Sequence, residues 1–237
     1  SKLITALLFE YFEPARRKGE IILAMDRADS RGGERGAWQY MPGQRRVRRA
    51  PSIGYDTPNP TFGGVATYDD SFVFNGRIDR WDCKLIGKKE MFIPYNCYKF
   101  DLATLDDVCT PHHLNPEFLR WELHRVWVVE ATLKEGKRHQ YGKRVFYVDE
   151  DSWILSLKDQ YDNRGDFWRF TLGTNYFDYT STPNLVCTGW LSFDVTVPFW
   201  NWTAAYVGVE HMPITLEKEI NPSEWFSPSY LRKAGRR

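Results

Sequence analysis

Paired acids and five histidines are the side chains of this sequence that could do acid–base or metal chemistry. Neighbouring acids occur at Asp69-Asp70, Asp106-Asp107 and Asp149-Glu150-Asp151. Glycosidase-type hydrolysis needs two carboxyl groups roughly 5–10 Å apart in one cleft, whereas neighbours on a strand project to opposite faces. Acids are also common at hairpin turns, where we expect Asp149 and Asp151 to lie. The acidic groups therefore favour structural roles over enzymatic ones.

The histidine spacing is not typical of a metal site. The histidines are His112, His113, His124, His139 and His211, and none forms H-x-H or H-E-x-x-H. A metal needs about three or four converging ligands, although His124 and His139 could approach each other across a hairpin. The nucleophile elbow G-x-S-x-G, the phosphate-binding loop and G-x-G-x-x-G are all missing from the sequence. We predict no enzyme activity, no cofactor and no metal.

The densest charge cluster has four arginines in five residues, at Arg45, Arg46, Arg48 and Arg49. Such a cluster could dock an anionic headgroup or an acidic partner, at about 1 kcal/mol per arginine. It could equally pair with local acids such as Asp69 and Asp70, where exposed pairs contribute roughly 0–1 kcal/mol each. The net charge of the chain is only +1, which argues against nucleic-acid binding.

Aromatic residues make up 16% of the chain and recur on successive predicted strands. Our candidates for the lining of an apolar ligand site are Trp121, Leu123, Trp127, Val129, Phe146 and Trp153. Ligand sites are mostly apolar with few polar groups, but a close-packed core shows the same alternation. Both interpretations stay open from the sequence.

The elements that must position these residues are mainly strands. Apolar and polar residues alternate over 120–134, and polar turns separate this run from those at 141–148, 153–158 and 167–172. Such spacing predicts an antiparallel meander in a sandwich, a barrel or a curved sheet. A further hairpin is predicted from residues 20–25 and 37–41.

The two ends of the chain show different patterns. Residues 2–12 have a helical spacing that ends before Pro14, so we expect the chain to open inside an element and to lack the N-terminal part of a longer protein. Residues 221–237 are rich in Pro, Ser, Arg and Lys and are predicted to form a surface tail. We predict a single domain over 1–237, because no linker divides the chain. Its four cysteines leave disulfide bonding undecided, and no apolar run reaches the roughly 18–20 residues of a membrane helix.

Several ordered blocks resemble one family of Gram-negative bacteria. Trp38-Gln39-Tyr40-Met41-Pro42, followed by the arginine cluster, resembles a W-x-Y-x-P…R-R-V-R-R signature. Further similar blocks lie at 68–70, 85–91, 94–96, 120–130, 147–153 and 161–165. Together they cover most of residues 8–170. They are similar to domain of unknown function 1329, which itself resembles the outer-membrane lipoprotein-sorting (LolA/LolB-like) proteins.

The resemblance implies a mainly β (α+β) fold, in which a curved antiparallel sheet forms a half-barrel around helices and an apolar cavity. It implies a mature periplasmic or outer-membrane-associated protein whose relatives are longer at the N-terminus and carry a signal peptide. It also implies a link to export systems with an RND-type transporter and an outer-membrane partner, and it supplies no catalytic residues.

We therefore expect a non-enzymatic carrier or acceptor of a lipid or other hydrophobic molecule, with peripheral membrane contact. Two alternatives remain. One is a structural subunit of a cell-envelope assembly, whose apolar face would be covered by protein. The other is a hydrolase that uses the histidines and acids.

Overall fold

The computed structural model describes residues 3–27, 35–50, 53–179, 184–203 and 221–235. The chain forms two compact units. The first comprises Ser1–Thr57 and Leu216–Arg237, and the second comprises Pro58–Thr215. The single domain expected over 1–237 stays a prediction, and each unit is described by itself.

The first unit contains a four-stranded antiparallel sheet in the order β1-β2-β3-β4. Its strands are β1 (Leu3–Glu10), β2 (Ile21–Arg27), β3 (Gly36–Met41) and β4 (Arg46–Arg49). The predicted β2–β3 hairpin is confirmed. The helix predicted over 2–12 is wrong, because this segment is β1 and pairs with β2 from Leu3 to Glu10. A short apolar run does not distinguish a helical from a strand period, and here pairing with β2 decides.

Two short helices, α3 (Pro222–Trp225) and α4 (Pro228–Ala234), belong to the same unit. Leu231 of α4 is fully buried against Ile21, Leu23 and Tyr40. Tyr40 Oη donates a 2.7 Å hydrogen bond to the carbonyl oxygen of Gly235. The segment predicted as a surface tail thus includes a helix that is anchored on the sheet through one buried leucine.

The second unit contains a seven-stranded sheet in the order β11-β10-β9-β8-β7-β6-β5, with antiparallel neighbours throughout. Its strands are β5 (Trp81–Pro94), β6 (Trp121–Leu133), β7 (Lys143–Asp149), β8 (Leu155–Tyr161), β9 (Phe167–Asp178), β10 (Asn184–Asp194) and β11 (Phe199–Thr203). Consecutive strands are neighbours, so the predicted meander is confirmed.

The helix face of this sheet carries Leu172 of β9 and Leu191 of β10 and packs on α1 (Tyr98–Asp101) and α2 (Leu105–Val108). Phe100 and Val108 are buried in this cluster. Thr104 and Asp107 form a capping box at the start of α2. The acid pair Asp106-Asp107 therefore serves a helix N-terminus, where carboxylates are favourable.

Residues 58–80, the covering segment, cross the opposite face of the sheet, which we call the loop face. Phe62 and Val73 of this segment pack in one cluster with Trp190 of β10. The ring centroids of Phe74 and Phe146 lie 5.0 Å apart. The covering segment thus fills the central part of the loop face. In the described residues, no helix is long and apolar enough to cross a membrane.

Candidate apolar binding surface

The outer end of the β5–β6 pair is a two-stranded ribbon. β6 pairs with β7 only from Val126 onward, so residues 121–125 have β5 as their strand partner. Phe92 lies opposite Leu123, and Pro94 lies opposite Trp121. These residues share one side of the ribbon because directly opposed strand residues project to the same face. Their apolar side chains are exposed to 61% for Phe92, 58% for Leu123 and 43% for Trp121.

Two tryptophans extend this surface along the loop face. Trp127 follows on β6, and its ring stacks on Trp153 with centroids 6.5 Å apart. Trp153 lies in the β7–β8 turn with φ 59° and is 70% exposed. Lys88 Nζ lies 4.2 Å from the Trp127 ring centroid and also pairs with Glu150. We call Phe92, Trp121, Leu123, Trp127 and Trp153 the apolar row.

Of the other two predicted lining residues, Phe146 lies in the core and Val129 is half-buried against it. Val129 and Phe146 are directly opposite each other on β6 and β7 and pack with Trp81, Ala131 and Tyr141. Phe74 of the covering segment contacts the Phe146 ring. Four of the six predicted residues therefore belong to the apolar row, and Phe92 is a further member that the sequence did not single out.

Phe92, Trp121 and Leu123 are neighbours on one face, whereas Arg125 and Glu90 lie opposite each other between them and Trp127. Exposed apolar side chains of this size are unusual when they are neighbours. Burying each one would contribute about 1.5–3 kcal/mol relative to leaving it in water. Contiguous apolar patches on soluble proteins mark sites for proteins, membranes or ligands. The row thus has the chemistry of a surface that binds an apolar partner.

The reverse side of the ribbon is fixed by polar contacts. His124 Nδ1 lies 2.8 Å from Asp149 Oδ1, and the Tyr95 ring packs on the imidazole at 4.3 Å between centroids. Asp149 Oδ2 accepts hydrogen bonds from the backbone N–H of Ser152 at 2.9 Å and from its hydroxyl. Ile93 is fully buried on this side. These contacts hold the ribbon in place and leave the apolar row exposed.

The same contacts define what this group can do chemically. Among the residues that the structure describes, His124, Asp149 and Asp151 have ligand atoms within 4.8 Å of one another, so this group could hold a metal. Both oxygens of Asp149 already accept hydrogen bonds, from His124 and from Ser152. The Ser152 hydroxyl bonds the acid and not the imidazole, which is not the serine–histidine contact that nucleophilic catalysis uses. His124, Asp149 and Ser152 are therefore arranged as a structural contact that fixes the ribbon.

The acid pair Asp69-Asp70 is the centre of a buried ionic network on the loop face. Asp69 accepts two hydrogen bonds of 2.8 Å from the Arg144 guanidinium. Asp70 Oδ1 accepts hydrogen bonds from Lys158 Nζ and from Gln160 Nε2, the latter at 2.9 Å. All five side chains are fully or almost fully buried. Two carboxylates face two cations, so their charges balance, which a buried ionic group requires.

The network also holds a strained turn of the covering segment. Phe72 and Val73 have φ angles of 54° and 66°, which are unfavourable for side chains with a Cβ, especially a branched one. Lys158 Nζ donates a hydrogen bond of 2.5 Å to the Val73 carbonyl oxygen. The buried lysine thus fixes the backbone of the segment as well as its acid.

Burial and charge act in opposite directions on these groups. Burial alone would raise the pKa of Asp69, but Arg144 and His139 hold it well below its usual range. The pKa of Asp70 is also lowered, by Lys158 and Arg144 against the effect of burial. Burial lowers the pKa of Lys158 to about 8, although Asp70 opposes the change.

His139 contacts Asp69, whereas His124 contacts Asp149. The two histidines therefore do not share one site across a hairpin, as the sequence suggested they could. His139 Nε2 lies 3.2 Å from Asp69 Oδ2, and His139 Nδ1 accepts the backbone N–H of Tyr141 at 3.1 Å. Because Nδ1 is an acceptor, Nε2 carries the proton that bonds Asp69. His139 is therefore a buried structural residue of the network.

The arginine cluster lies on and beside β4, the outer strand of the first unit's sheet. Arg45, Arg46, Arg48 and Arg49 are all exposed, and Arg45 has φ 49°. The alternative prediction, that these arginines pair with Asp69 and Asp70, is wrong, because both acids are buried against Arg144 and Lys158. Across the described ranges, none of the four arginines forms an ion pair. Docking by these residues stays a prediction.

The four cysteines are free thiols. Cys97 is buried in the cluster on the helix face, whereas Cys83 and Cys109 are exposed. Burial raises the pKa of Cys187 to about 12. The buried cysteines therefore act as small apolar residues and not as nucleophiles.

Comparison with known proteins identifies relatives of this chain. Residues 1–232 match the family model described as protein of unknown function (DUF1329). The chain is 47% identical over 158 residues to the uncharacterized protein PA3922 of Pseudomonas aeruginosa. That match covers 66% of this chain and 35% of the relative, so the chain spans about a third of the length of this curated relative.

Two solved structures are similar to the whole chain. A Vibrio parahaemolyticus domain classed with the outer membrane lipoprotein-sorting proteins matches with a TM-score of 0.59 and 16% identity, over 96% of this chain and 77% of its own. A DUF1329 family protein of Desulfovibrio piger matches with a TM-score of 0.57 and 16% identity, over 94% of this chain and 75% of its own.

These likenesses confirm the predicted fold class, which is mainly β with open, curved antiparallel sheets, as in the lipoprotein-sorting protein domain of Vibrio parahaemolyticus. The family model covers nearly the whole sequence, including the arginine cluster and the blocks of β5–β8. This chain therefore belongs to the DUF1329 family.

Proposed function

We propose that this chain is a non-enzymatic carrier or acceptor that binds a lipid or other hydrophobic molecule on the apolar row. The observation that carries the proposal is the face shared by Phe92, Trp121 and Leu123, which is exposed although it is apolar. The lipoprotein-sorting architecture of the fold supports it. The proposed location is the periplasm, at or near the outer membrane.

The proposed ligand contact differs in position from the cavity expected at first. The covering segment and its ionic network fill the middle of the loop face, where Val129 and Phe146 lie. The cargo would instead lie along the ribbon, with Trp153 and Trp127 at one end of the contact. Removing about 400 Å² of apolar surface from water contributes roughly 10 kcal/mol. Association costs of several kcal/mol then leave micromolar affinity within reach.

The proposed cellular setting is an export system that moves hydrophobic molecules toward the outer membrane, with an RND-type transporter and an outer-membrane protein as partners. The alternative is a structural subunit of an envelope assembly. The same exposed row favours it, because a protein partner could cover Leu123 and Phe92 as well as a lipid could. A stoichiometric protein partner with no lipid in the complex would support the alternative.

A lipid-transfer assay tests the carrier proposal. A fluorescent phospholipid is followed from donor to acceptor vesicles in the presence of the complete chain. We expect faster transfer with the wild type and a loss of this effect in the double variant Phe92→Ser/Leu123→Ser. The matched control is Leu102→Ser/Leu105→Ser, which removes two exposed leucines from other elements. Equal transfer by the two double variants would remove the row from the site, and no transfer by the wild type would contradict the carrier role.

A further inference from the structure

The β1–β2 and β3–β4 turns of the first unit's sheet lie at the same end of the sheet. Residues 11–20 connect β1 to β2, and residues 42–45 connect β3 to β4. The turns touch, because a Cβ placed on Gly19 would lie 3.6 Å from Pro42. Helix α4 ends beside them, since Tyr40 bonds the Gly235 carbonyl just before the second turn. Three separate segments of the chain therefore meet at this end.

Cationic side chains dominate the surface formed by these segments. They are Arg16 and Lys18 from the first turn, Arg45 from the second turn, Arg46 from the start of β4, and Arg232 and Lys233 from α4, together called the basic end. All six are exposed, and within the ranges that the structure covers none of them forms an ion pair. The exposed acids here are Glu10 and Glu13, which leaves an excess of four positive charges. Arg48 and Arg49 continue the charge along β4.

The first of these turns also exposes an apolar side chain. Phe12 is in the first turn, between Glu10 and Arg16 in sequence, and is 69% exposed. A group of cations and an exposed aromatic ring are the two signals that together bind proteins to the surface of an anionic bilayer. The cations attract the headgroups, and the ring enters the boundary with the acyl chains. Either signal alone gives weak binding, whereas the two together stabilise attachment.

We propose that the basic end docks the protein on the surface of an anionic phospholipid bilayer, with Phe12 as the apolar contact. A broad anionic surface above an apolar layer matches charges that come from three segments together with an exposed aromatic ring on one of them. An acidic segment of a partner protein would match the charges but would leave Phe12 without a role. The basic end belongs to the first unit and the apolar row to the second, so failure of this proposal would leave the carrier proposal standing.

Vesicle co-sedimentation of the complete chain tests the proposal. The probes are phosphatidylcholine vesicles with and without phosphatidylglycerol. We expect binding only when phosphatidylglycerol is present, and weaker binding as the salt concentration rises. Each arginine near the surface should be worth about a fivefold change in affinity, so Arg45→Gln/Arg46→Gln should weaken binding about 25-fold. Phe12→Ser should weaken it about tenfold.

Two control variants separate docking from loss of folding or of total charge. Arg45→Lys/Arg46→Lys keeps the charge and should keep the binding. Lys84→Gln/Lys137→Gln removes the same number of charges from exposed positions of the second unit and should bind like the wild type. Absence of binding to the anionic vesicles, or equal loss in both glutamine variants, would overturn the proposal. Capture by immobilised polyglutamate with no vesicle binding would also overturn it and indicate an acidic protein partner.

Discussion

Phe92 and Leu123 lie directly opposite each other on β5 and β6, and more than half of each residue is exposed. Six residues further along β6, the same face buries Val129 against Phe146. The face changes from surface to core where β7 begins to pair with β6 and the covering segment packs on the sheet. One alternating strand therefore supplies both a binding surface and a core.

Substitutions on the two halves of this face should separate binding from stability. Phe146→Ala should lower the free energy of unfolding by about 3–5 kcal/mol, because it opens a cavity in the core. Phe92→Ser/Leu123→Ser should change it by no more than about 0.5 kcal/mol, because both side chains are exposed. Urea unfolding measures both values. A large loss of stability in the ribbon variant would show that the row is covered in the folded protein.

The buried network should respond to charge balance more than to the number of hydrogen bonds. Lys158→Met leaves two carboxylates facing one cation and should cost about 3–5 kcal/mol of folding stability. Adding Asp70→Asn restores the balance, so the double variant should recover most of the loss. A double-mutant cycle by chemical denaturation gives the coupling energy. Additive effects of the two substitutions would contradict a charge-balanced network.

Acid should destabilise the second unit through the same two carboxyl groups. The pKa values of Asp69 and Asp70 are lowered in the folded chain, so the unfolded chain binds more protons as the pH falls below about 4. The stability that these groups contribute is present above that range and is lost as the pH falls through it. The wild type should lose more stability than Asp70→Asn/Lys158→Met when unfolding is measured along a pH series. Identical pH profiles would exclude the network as the cause.

The strands of the meander could be predicted from the sequence, because polar turns separate alternating runs over 120–172. The blocks that resemble the family also gave the correct fold. The first strand was mistaken for a helix, since Leu3, Leu7 and Leu8 fit a helical face and nothing local shows that β2 pairs with them. Pairing with β2, which the local sequence does not reveal, determines that element.

The candidate site could be predicted only in part. Alternation placed Trp121, Leu123, Val129 and Phe146 on one face, but it cannot tell where that face becomes covered. The buried network was missed because Arg144 and Lys158 look like solvent-facing strand residues. Their burial depends on a segment more than 70 residues away, which brings Asp69 and Asp70 to them. The one local signal was Asp69-Asp70 itself, an acid pair that does not lie at a hairpin turn.

The most direct test of the carrier role is solvent extraction of the purified chain, followed by mass spectrometry of the organic phase. We predict one enriched lipid or other hydrophobic class at a near-stoichiometric amount, and a clear decrease of that class in Phe92→Ser/Leu123→Ser. The control Leu102→Ser/Leu105→Ser should retain it. An empty extract from gently prepared material, together with a stoichiometric protein bound at the apolar row, would contradict the account and favour a structural subunit.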